Sequence, residues 1–124
     1  MRVILLAVLV FFSIGFAQDG KTLFERYSCA SCHDPVQRLV GPSLLEIAKK
    51  YGNSEKAINK VANLIIHPNP ANWPGFAYMP PFDIPFEHAK ALAKYILVDV
   101  PKEAKKLKEE PKHSIEIDED EQFH

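Results

Sequence analysis

The residues of this 124-residue sequence best suited to chemistry are Cys29-Ala30-Ser31-Cys32-His33. This C-x-x-C-H pattern is typical of c-type haem attachment, in which two thiols add to the two vinyl groups of one porphyrin. The histidine that follows the second cysteine can then ligate the iron from one face. The motif predicts one covalent haem c held by Cys29 and Cys32, with His33 as an axial ligand.

Other chemistries also use two cysteines at this spacing. A thioredoxin-like dithiol is expected in a βαβ context, and the sequence contains no convincing strand. A zinc site needs four ligands, usually with a second Cys or His pair at matched spacing, and no such pair is found. A plain disulfide is the simplest alternative in an exported protein. The trailing histidine, an export signal and a long proline-rich loop together favour haem.

The second axial ligand of the iron is predicted to be Met79, which is followed by Pro80 and Pro81. Apart from Met1 it is the only methionine, and the prolines restrict the backbone that would hold its thioether at the iron. Histidine and methionine form a known pair of haem ligands. The alternative ligands are the remaining histidines, His67, His88, His113 and His124.

Four helical segments are predicted to position these residues. They run from Asp19 to Cys32, from Ser43 to Gly52, from Ser54 to Pro68, and from about Pro85 to just before Pro101. Ser43 and Glu46 form a capping box at the start of the second segment, and Ser54 is an N-cap of the third. The long loop between the third and fourth segments is proline-rich, and a loop of that length in a small domain is usually functional.

The first 17 residues, MRVILLAVLVFFSIGFA, are predicted to be a secretory signal peptide. Arg2 precedes an apolar run, and Gly15 and Ala17 lie at the spacing of a signal-peptidase site. The apolar run is short for a membrane span, which needs about 20 residues. We therefore expect cleavage after Ala17, with retention as a membrane anchor as the alternative.

Composition limits the remaining chain to one folded domain with a charged end. Hydrophobic residues make up 47% and charged residues 25%, which excludes a disordered chain, and two cysteines are too few for a disulfide scaffold. The net charge of −1 argues against a general nucleic-acid binder.

Residues 18–98 hold nine bases and seven acids, whereas residues 99–124 hold nine acids and five lysines. We therefore predict a signal peptide at 1–17, a domain at 18–98 and an acidic extension at 99–124. Val100 to Lys108 are compatible with a short surface helix.

On these residues the sequence resembles the class I cytochromes c, in particular the short monohaem electron carriers of the bacterial periplasm. The resemblance covers residues 19–98. Gly20, Phe24 and Tyr95 match the residues at which the family's first and last helices cross. Gly41-Pro42 matches the family's Gly-Pro pair after the haem histidine.

Two site residues are predicted from this resemblance alone. It implies that the carbonyl of Pro42 accepts a hydrogen bond from His33, which would orient the imidazole and raise its basicity. It also implies that Trp73 bonds a haem propionate, for which ordinary loop packing is the alternative. Pro42 and Trp73 are therefore expected to belong to the cofactor-binding set.

The resemblance implies an all-α fold of about four helices wrapped around one covalently bound haem, with the N- and C-terminal helices crossing. It implies a periplasmic one-electron carrier rather than an enzyme, because an iron with protein ligands on both faces has no open position for a substrate. Its partners would be redox proteins that dock transiently at the exposed haem edge, without nucleic acid and without stable membrane insertion after signal cleavage. We expect a monomer. The alternatives are a haem c subunit of an oxidoreductase complex, for example in thiosulfate oxidation, and a haem-based ligand sensor.

Overall fold

Five helices make up the regular structure of residues 19–109, the part of the chain that the computed structural model describes. They are α1 (Gly20–Arg26), α2 (Leu44–Tyr51), α3 (Glu55–Ile66), α4 (Phe86–Lys94) and α5 (Val100–Glu109). A π-helical turn at Tyr95–Asp99 joins α4 to α5. Because these residues contain helices and no strand, the prediction of an all-α fold is confirmed for them. The predicted signal peptide and the acidic residues 110–124 lie outside the described range.

The starts of α2 and α3 follow the capping signals in the sequence. The Ser43 hydroxyl accepts a hydrogen bond from the Glu46 backbone N–H at 3.1 Å, and the Glu46 carboxylate accepts one from the Ser43 N–H at 2.9 Å. This reciprocal pair satisfies two helix-terminal donors. Gly52 ends α2 with a φ of 78°, and the Ser54 hydroxyl caps α3 by accepting from Ala57 N–H. The predicted capping box is confirmed.

The first helix is shorter than the sequence predicts. It ends at Arg26, and Ser28 adopts a left-handed conformation with φ 60°, which an α-helix cannot contain. Cys29–Ser31 then form a separate 3₁₀ turn. The prediction of one helix as far as Cys32 is therefore wrong, because the chain turns before the first cysteine.

The last helix, by contrast, continues past Pro101. A proline within a helix lacks an N–H donor and its ring clashes with the carbonyl four residues earlier, here that of Leu97. The structure has a π-helical turn at this point, in which the Val100 N–H bonds the Tyr95 carbonyl five residues back. The wider turn accommodates the proline, so the prediction that the helix ends before Pro101 is wrong. The predicted surface helix from Val100 is present as α5.

The crossing of α1 and α4 depends on Gly20. A Cβ atom at Gly20 would lie 2.7 Å from the Cβ of Tyr95 and closer still to the Ala91 carbonyl, so only glycine allows this approach. Beside it, the rings of Phe24 and Tyr95 pack with centroids 5.4 Å apart. The crossing that the resemblance implied is confirmed. Around it lies one apolar core that includes Leu23, Leu44, Ala62, Leu92 and Leu97. No helix within residues 19–109 is long and apolar enough to cross a membrane.

Candidate cofactor site

A largely apolar cavity of about 350 Å³ lies against the core, between two irregular stretches of the chain. Its volume is in the range of ligand-binding pockets in proteins. Cys29, Cys32 and His33 line it from the stretch after α1, and Trp73 and Met79 line it from the proline-rich loop between α3 and α4. The fold therefore brings to one cavity residues that lie up to 50 positions apart in the sequence.

His33 is held in one orientation by the backbone that follows it. Its Nδ1 lies 2.8 Å from the carbonyl oxygen of Pro42, and the N–H of Gly41 bonds the carbonyl of Cys32 at 2.9 Å. Because a carbonyl only accepts, Nδ1 carries the proton and Nε2 keeps a free lone pair. A Cβ at Gly41 would lie 2.9 Å from Nδ1, so glycine is required for this packing. The hydrogen bond that the resemblance implied between His33 and Pro42 is present.

The loop between His33 and α2 is fixed by its own side chains. The Asp34 carboxylate accepts hydrogen bonds at 2.8 Å from the backbone N–H groups of Val36 and Gln37, and these bonds lower the pKa of Asp34. Arg38 donates to the Glu46 carboxylate at 2.7 Å and lies over the ring of Phe76, 5.6 Å from its centroid. Since Phe76 belongs to the proline-rich loop, Arg38 connects the two stretches that enclose the cavity.

Met79 lies on a loop with few conformational choices. Pro80 and Pro81 follow it and fix two successive φ angles. Further along, the backbone N–H of Phe82 bonds the Ile65 carbonyl at 3.3 Å, which attaches the loop to the end of α3. Met79 is half-buried and lines the cavity. Its thioether is therefore presented to the same space as His33.

Tyr51 and Trp73 both line the cavity. The Tyr51 hydroxyl is buried beside Trp73 without a hydrogen bond of good geometry; burial raises the pKa of Tyr51, and the interaction with the Trp73 side chain lowers it. The Lys50 ammonium lies 4.4 Å from the Trp73 ring centroid and donates to the Asn72 carbonyl. A buried hydroxyl without a good partner costs about 1–3 kcal/mol, so Tyr51 suits a ligand that carries a hydrogen-bonding group.

Tyr51 was not among the residues selected from the sequence. The only signal available was an aromatic residue at the last position of α2, directly before the glycine that ends the helix. That signal is indistinguishable from core packing, because the direction of the hydroxyl depends on how α2 packs against Trp73.

The two cysteines of the motif are free thiols at the cavity wall. The pKa of the Cys29 thiol is raised to about 11, mainly by burial; a backbone hydrogen bond opposes this rise and the neighbouring Cys32 adds to it. Cys29 without a haem therefore stays a neutral thiol at neutral pH. Such a group lies in an apolar wall without the cost of burying a charge.

Two of the alternative iron ligands, His67 and His88, do not line the cavity. His67 is exposed at the end of α3, and His88 has its Nδ1 2.7 Å from the hydroxyl of Tyr27. Neither side chain lines the cavity. His113 and His124 lie outside the described residues. Within residues 19–109, His33 and Met79 are the histidine and the methionine that line it.

These residues fit a haem. The walls are apolar, as a porphyrin ring requires, and two thiols at C-x-x-C spacing face the cavity together with an imidazole whose Nε2 is free. A soft thioether lines the same space, and the unpaired Tyr51 hydroxyl offers a donor suited to a propionate. The donor set is that of a c-type haem with a histidine and a methionine available to the iron.

Comparison with known proteins agrees with this description. A family model described as cytochrome c matches residues 17–98. The chain is 40% identical over 81 residues to cytochrome c-551 of Stutzerimonas stutzeri, covering 65% of this chain and 77% of that protein. It is 33% identical over 96 residues to cytochrome c-552 of Hydrogenobacter thermophilus, covering 77% and 95%. The crystal structure of cytochrome c552 from Nitrosomonas europaea superposes with a TM-score of 0.57 at 34% identity, over 63% of this chain and 96% of that one.

Proposed function

The chain belongs to the cytochrome c family, and we propose that it carries single electrons between periplasmic redox proteins with an iron held by His33 and Met79. As a class I monohaem cytochrome c it is an electron carrier and not an enzyme, and it binds one haem c covalently through Cys29 and Cys32. The haem supplies a one-electron Fe(II)/Fe(III) couple. The observation that supports the proposed ligand pair is that His33 and Met79 line the same cavity.

His33 serves as the ligand on the side of the attachment motif. Its Nδ1–H donates to the Pro42 carbonyl, which fixes the tautomer, orients the ring and raises the basicity of Nε2. Gly41 leaves room for the ring in this orientation. Because the orientation exists before any change in oxidation state, little reorganisation of this side chain accompanies electron transfer.

Met79 serves as the ligand from the proline-rich loop. A thioether stabilises ferrous relative to ferric iron, and an apolar wall disfavours the additional positive charge of the ferric state. Both effects raise the reduction potential. If His33 and Met79 both held the iron, it would have no open coordination position, which suits a carrier that exchanges electrons without binding a substrate.

Redox partners are proposed to dock around the mouth of the cavity. Val36, Leu39, Val40 and Tyr78 are large hydrophobic residues with exposed fractions of 69%, 48%, 53% and 59%. Val40 and Tyr78 also line the cavity, so the exposed apolar surface adjoins the proposed site of electron entry and exit. Electron-transfer encounters use small, short-lived interfaces, so a few exposed apolar residues at this mouth are sufficient for docking.

The periplasmic location rests on the sequence of residues 1–17. Their charge, apolar run and small residues at Gly15 and Ala17 are those of a cleaved export signal. Export also suits a chain whose two cysteines receive a covalent haem. We propose that the mature protein begins after Ala17.

Replacing Met79 with alanine tests the ligand assignment. The ferric wild-type protein is expected to show the near-infrared charge-transfer band of a thioether bound to iron, and Met79→Ala should lose it. The reduced variant should also bind carbon monoxide promptly at neutral pH, whereas the reduced wild type should not. Tyr78→Phe, which alters the adjacent residue without removing a thioether, should retain the band. A wild-type protein without the band, or a Met79→Ala variant that keeps it, would contradict the assignment.

A further inference from the structure

Arg38 contacts the proline-rich loop from outside the cavity. Its guanidinium lies over the Phe76 ring, 5.6 Å from the ring centroid, which is within the range of a cation–π contact. The Arg38 side chain is 70% exposed and does not line the cavity, whereas Phe76 is half-buried and does line it. Arg38 therefore packs on a residue of the cavity wall without belonging to that wall itself.

Glu46, in the first turn of α2, holds the guanidinium in place. Its Oε1 accepts a hydrogen bond from Arg38 Nε at 2.7 Å, and its Oε2 accepts one from the Ser43 N–H at 2.9 Å. Because each carboxylate oxygen has its own donor, the Glu46 side chain is fixed relative to the start of the helix. The cation over Phe76 is therefore anchored to α2 by a charge-assisted hydrogen bond.

The turn that contains Phe76 takes a second cation contact from the same helix. The rings of Trp73 and Phe76 meet edge-on with centroids 6.1 Å apart, and the Phe76 N–H bonds the Trp73 carbonyl at 3.3 Å. Lys50, in the last turn of α2, lies 4.4 Å from the Trp73 ring centroid. The turn is thus attached to the start of α2 through Arg38 and to its end through Lys50.

Met79 lies midway between this turn and the next attachment of the loop. Phe76 is three residues before it and Phe82 is three residues after it, and the Phe82 N–H bonds the Ile65 carbonyl at 3.3 Å. The two prolines that follow Met79 have no N–H to donate, so the stretch between the two attachments forms few backbone hydrogen bonds of its own. Its position over the cavity therefore depends on the contacts at Phe76 and Phe82.

We propose that Arg38 is a positioning residue: by holding Phe76 it keeps the loop that carries Met79 closed over the cavity, and so limits how often the iron position on that side opens. Loss of the cation–π contact frees one of the two attachments and lets Met79 leave the cavity more often. The proposal rests on the electron-carrier function proposed above, and it involves the Met79 ligation only in the carbon monoxide measurement.

Amide hydrogen exchange of the holoprotein tests whether Arg38 holds the loop. In Arg38→Gln the Phe76 N–H should exchange about two- to fivefold faster than in the wild type, the factor that corresponds to one exposed cation–π contact. Lys90→Gln is the matched control, because it breaks an exposed ion pair with Glu55 at 2.9 Å whose residues do not line the cavity, and it should leave this amide unchanged. Equal exchange in the wild type and Arg38→Gln, or the same acceleration in Lys90→Gln, would overturn the proposal.

Carbon monoxide binding to the reduced protein measures the consequence for the iron. If Met79 is a ligand, binding waits for the loop to open, and Arg38→Gln should raise its rate by the same factor of about two to five. Lys90→Gln should bind at the wild-type rate. Faster amide exchange in Arg38→Gln without faster binding would overturn the proposal. Prompt binding to the wild type would instead disprove the ligand assignment, whereas the exchange result would still decide the role of Arg38.

A double-variant cycle separates the ring contact from the ion pair. Phe76→Leu keeps an apolar residue in the cavity wall but removes the ring. Because Arg38 and Phe76 share one contact, Arg38→Gln should accelerate exchange of the amide at position 76 in the wild-type background and not in Phe76→Leu. A full effect of Arg38→Gln in the Phe76→Leu background would show that the pairing with Glu46 alone is responsible, and it would overturn the proposal.

Discussion

Replacing Gly41 by alanine places a methyl group against the His33 ring. Its Cβ would lie 2.5 Å from Cε1 and 2.9 Å from Nδ1, whereas non-bonded carbon contacts are favourable at about 3.5–4.0 Å. Gly41 does not have a positive φ, since the described glycines that do are Gly52 and Gly75. The substitution therefore tests the contact with His33 and not the backbone conformation.

Two effects add up to the expected loss of stability. Overpacking at a closely packed position costs about 1–3 kcal/mol. Displacing the His33 ring also weakens its 2.8 Å hydrogen bond to Pro42, and a bond of this kind contributes about 1 kcal/mol. We expect Gly41→Ala to lower the free energy of unfolding of the holoprotein by about 2–4 kcal/mol. A weaker hydrogen bond also makes His33 a less basic ligand, which should raise the reduction potential.

Gly20→Ala is the matched control. It introduces the same methyl group into an equally close contact, with Ala91 and Tyr95 at the crossing of α1 and α4. This variant should lose stability through overpacking alone, by about 1–3 kcal/mol, and leave the potential at the wild-type value. Guanidinium unfolding followed by circular dichroism measures the first quantity, and voltammetry of the holoprotein measures the second.

Either of two results would contradict a close contact between Gly41 and the His33 ring that also tunes the iron. If Gly41→Ala lost less than about 1 kcal/mol, the ring would not be confined as the distances indicate. If it lost stability as Gly20→Ala does but kept the wild-type potential, the hydrogen bond to Pro42 would not control the properties of His33.

Two further predictions concern Tyr51 at the cavity wall and the capping box. Tyr51→Phe removes the buried hydroxyl, so a haem propionate that it serves should show a raised pKa in a pH titration of the haem spectrum; an unchanged titration would contradict this. The pKa of Glu46 is lowered by Arg38 and then by the Ser43 backbone, so its contribution is present above the ordinary carboxyl range and is lost as pH falls below it. Glu46→Gln should therefore lower Tm at pH 7, and the difference from wild type should close in acid.

Local sequence patterns were sufficient to predict the features that depend only on residues close together in the chain. The C-x-x-C-H spacing, the capping box of Ser43 with Glu46 and the N-cap at Ser54 each involve residues within a few positions of one another. A single turn of backbone brings these residues together, so their types and spacing are enough to specify the local structure. The helix crossing at Gly20 and the bond from His33 to Pro42 came from the resemblance to the cytochrome c family, and the structure shows both.

Local sequence patterns did not predict the ends of the first and last helices, where two backbone conformations have similar local energies. Ser28 has no side-chain signal for a left-handed turn, yet that turn ends α1 before the cysteines. Pro101 ordinarily ends a helix, but the π-helical turn before it lets the chain continue because core packing at Tyr95 and Leu97 holds the helix in place. In both cases contacts made elsewhere in the fold decide between conformations of similar local energy.

The spacing of residues along the chain was enough to predict a covalent haem held by Cys29 and Cys32, and it nominates His33 and Met79 as the ligands of its iron. The distant groups around these residues come together only in the folded chain, where the buried Tyr51 hydroxyl lies beside the cavity and His88 pairs with Tyr27. Attachment and capping depend on short-range spacing along the chain. The burial and hydrogen-bond partners of a side chain depend on helices that meet only after folding, and no local pattern specifies them.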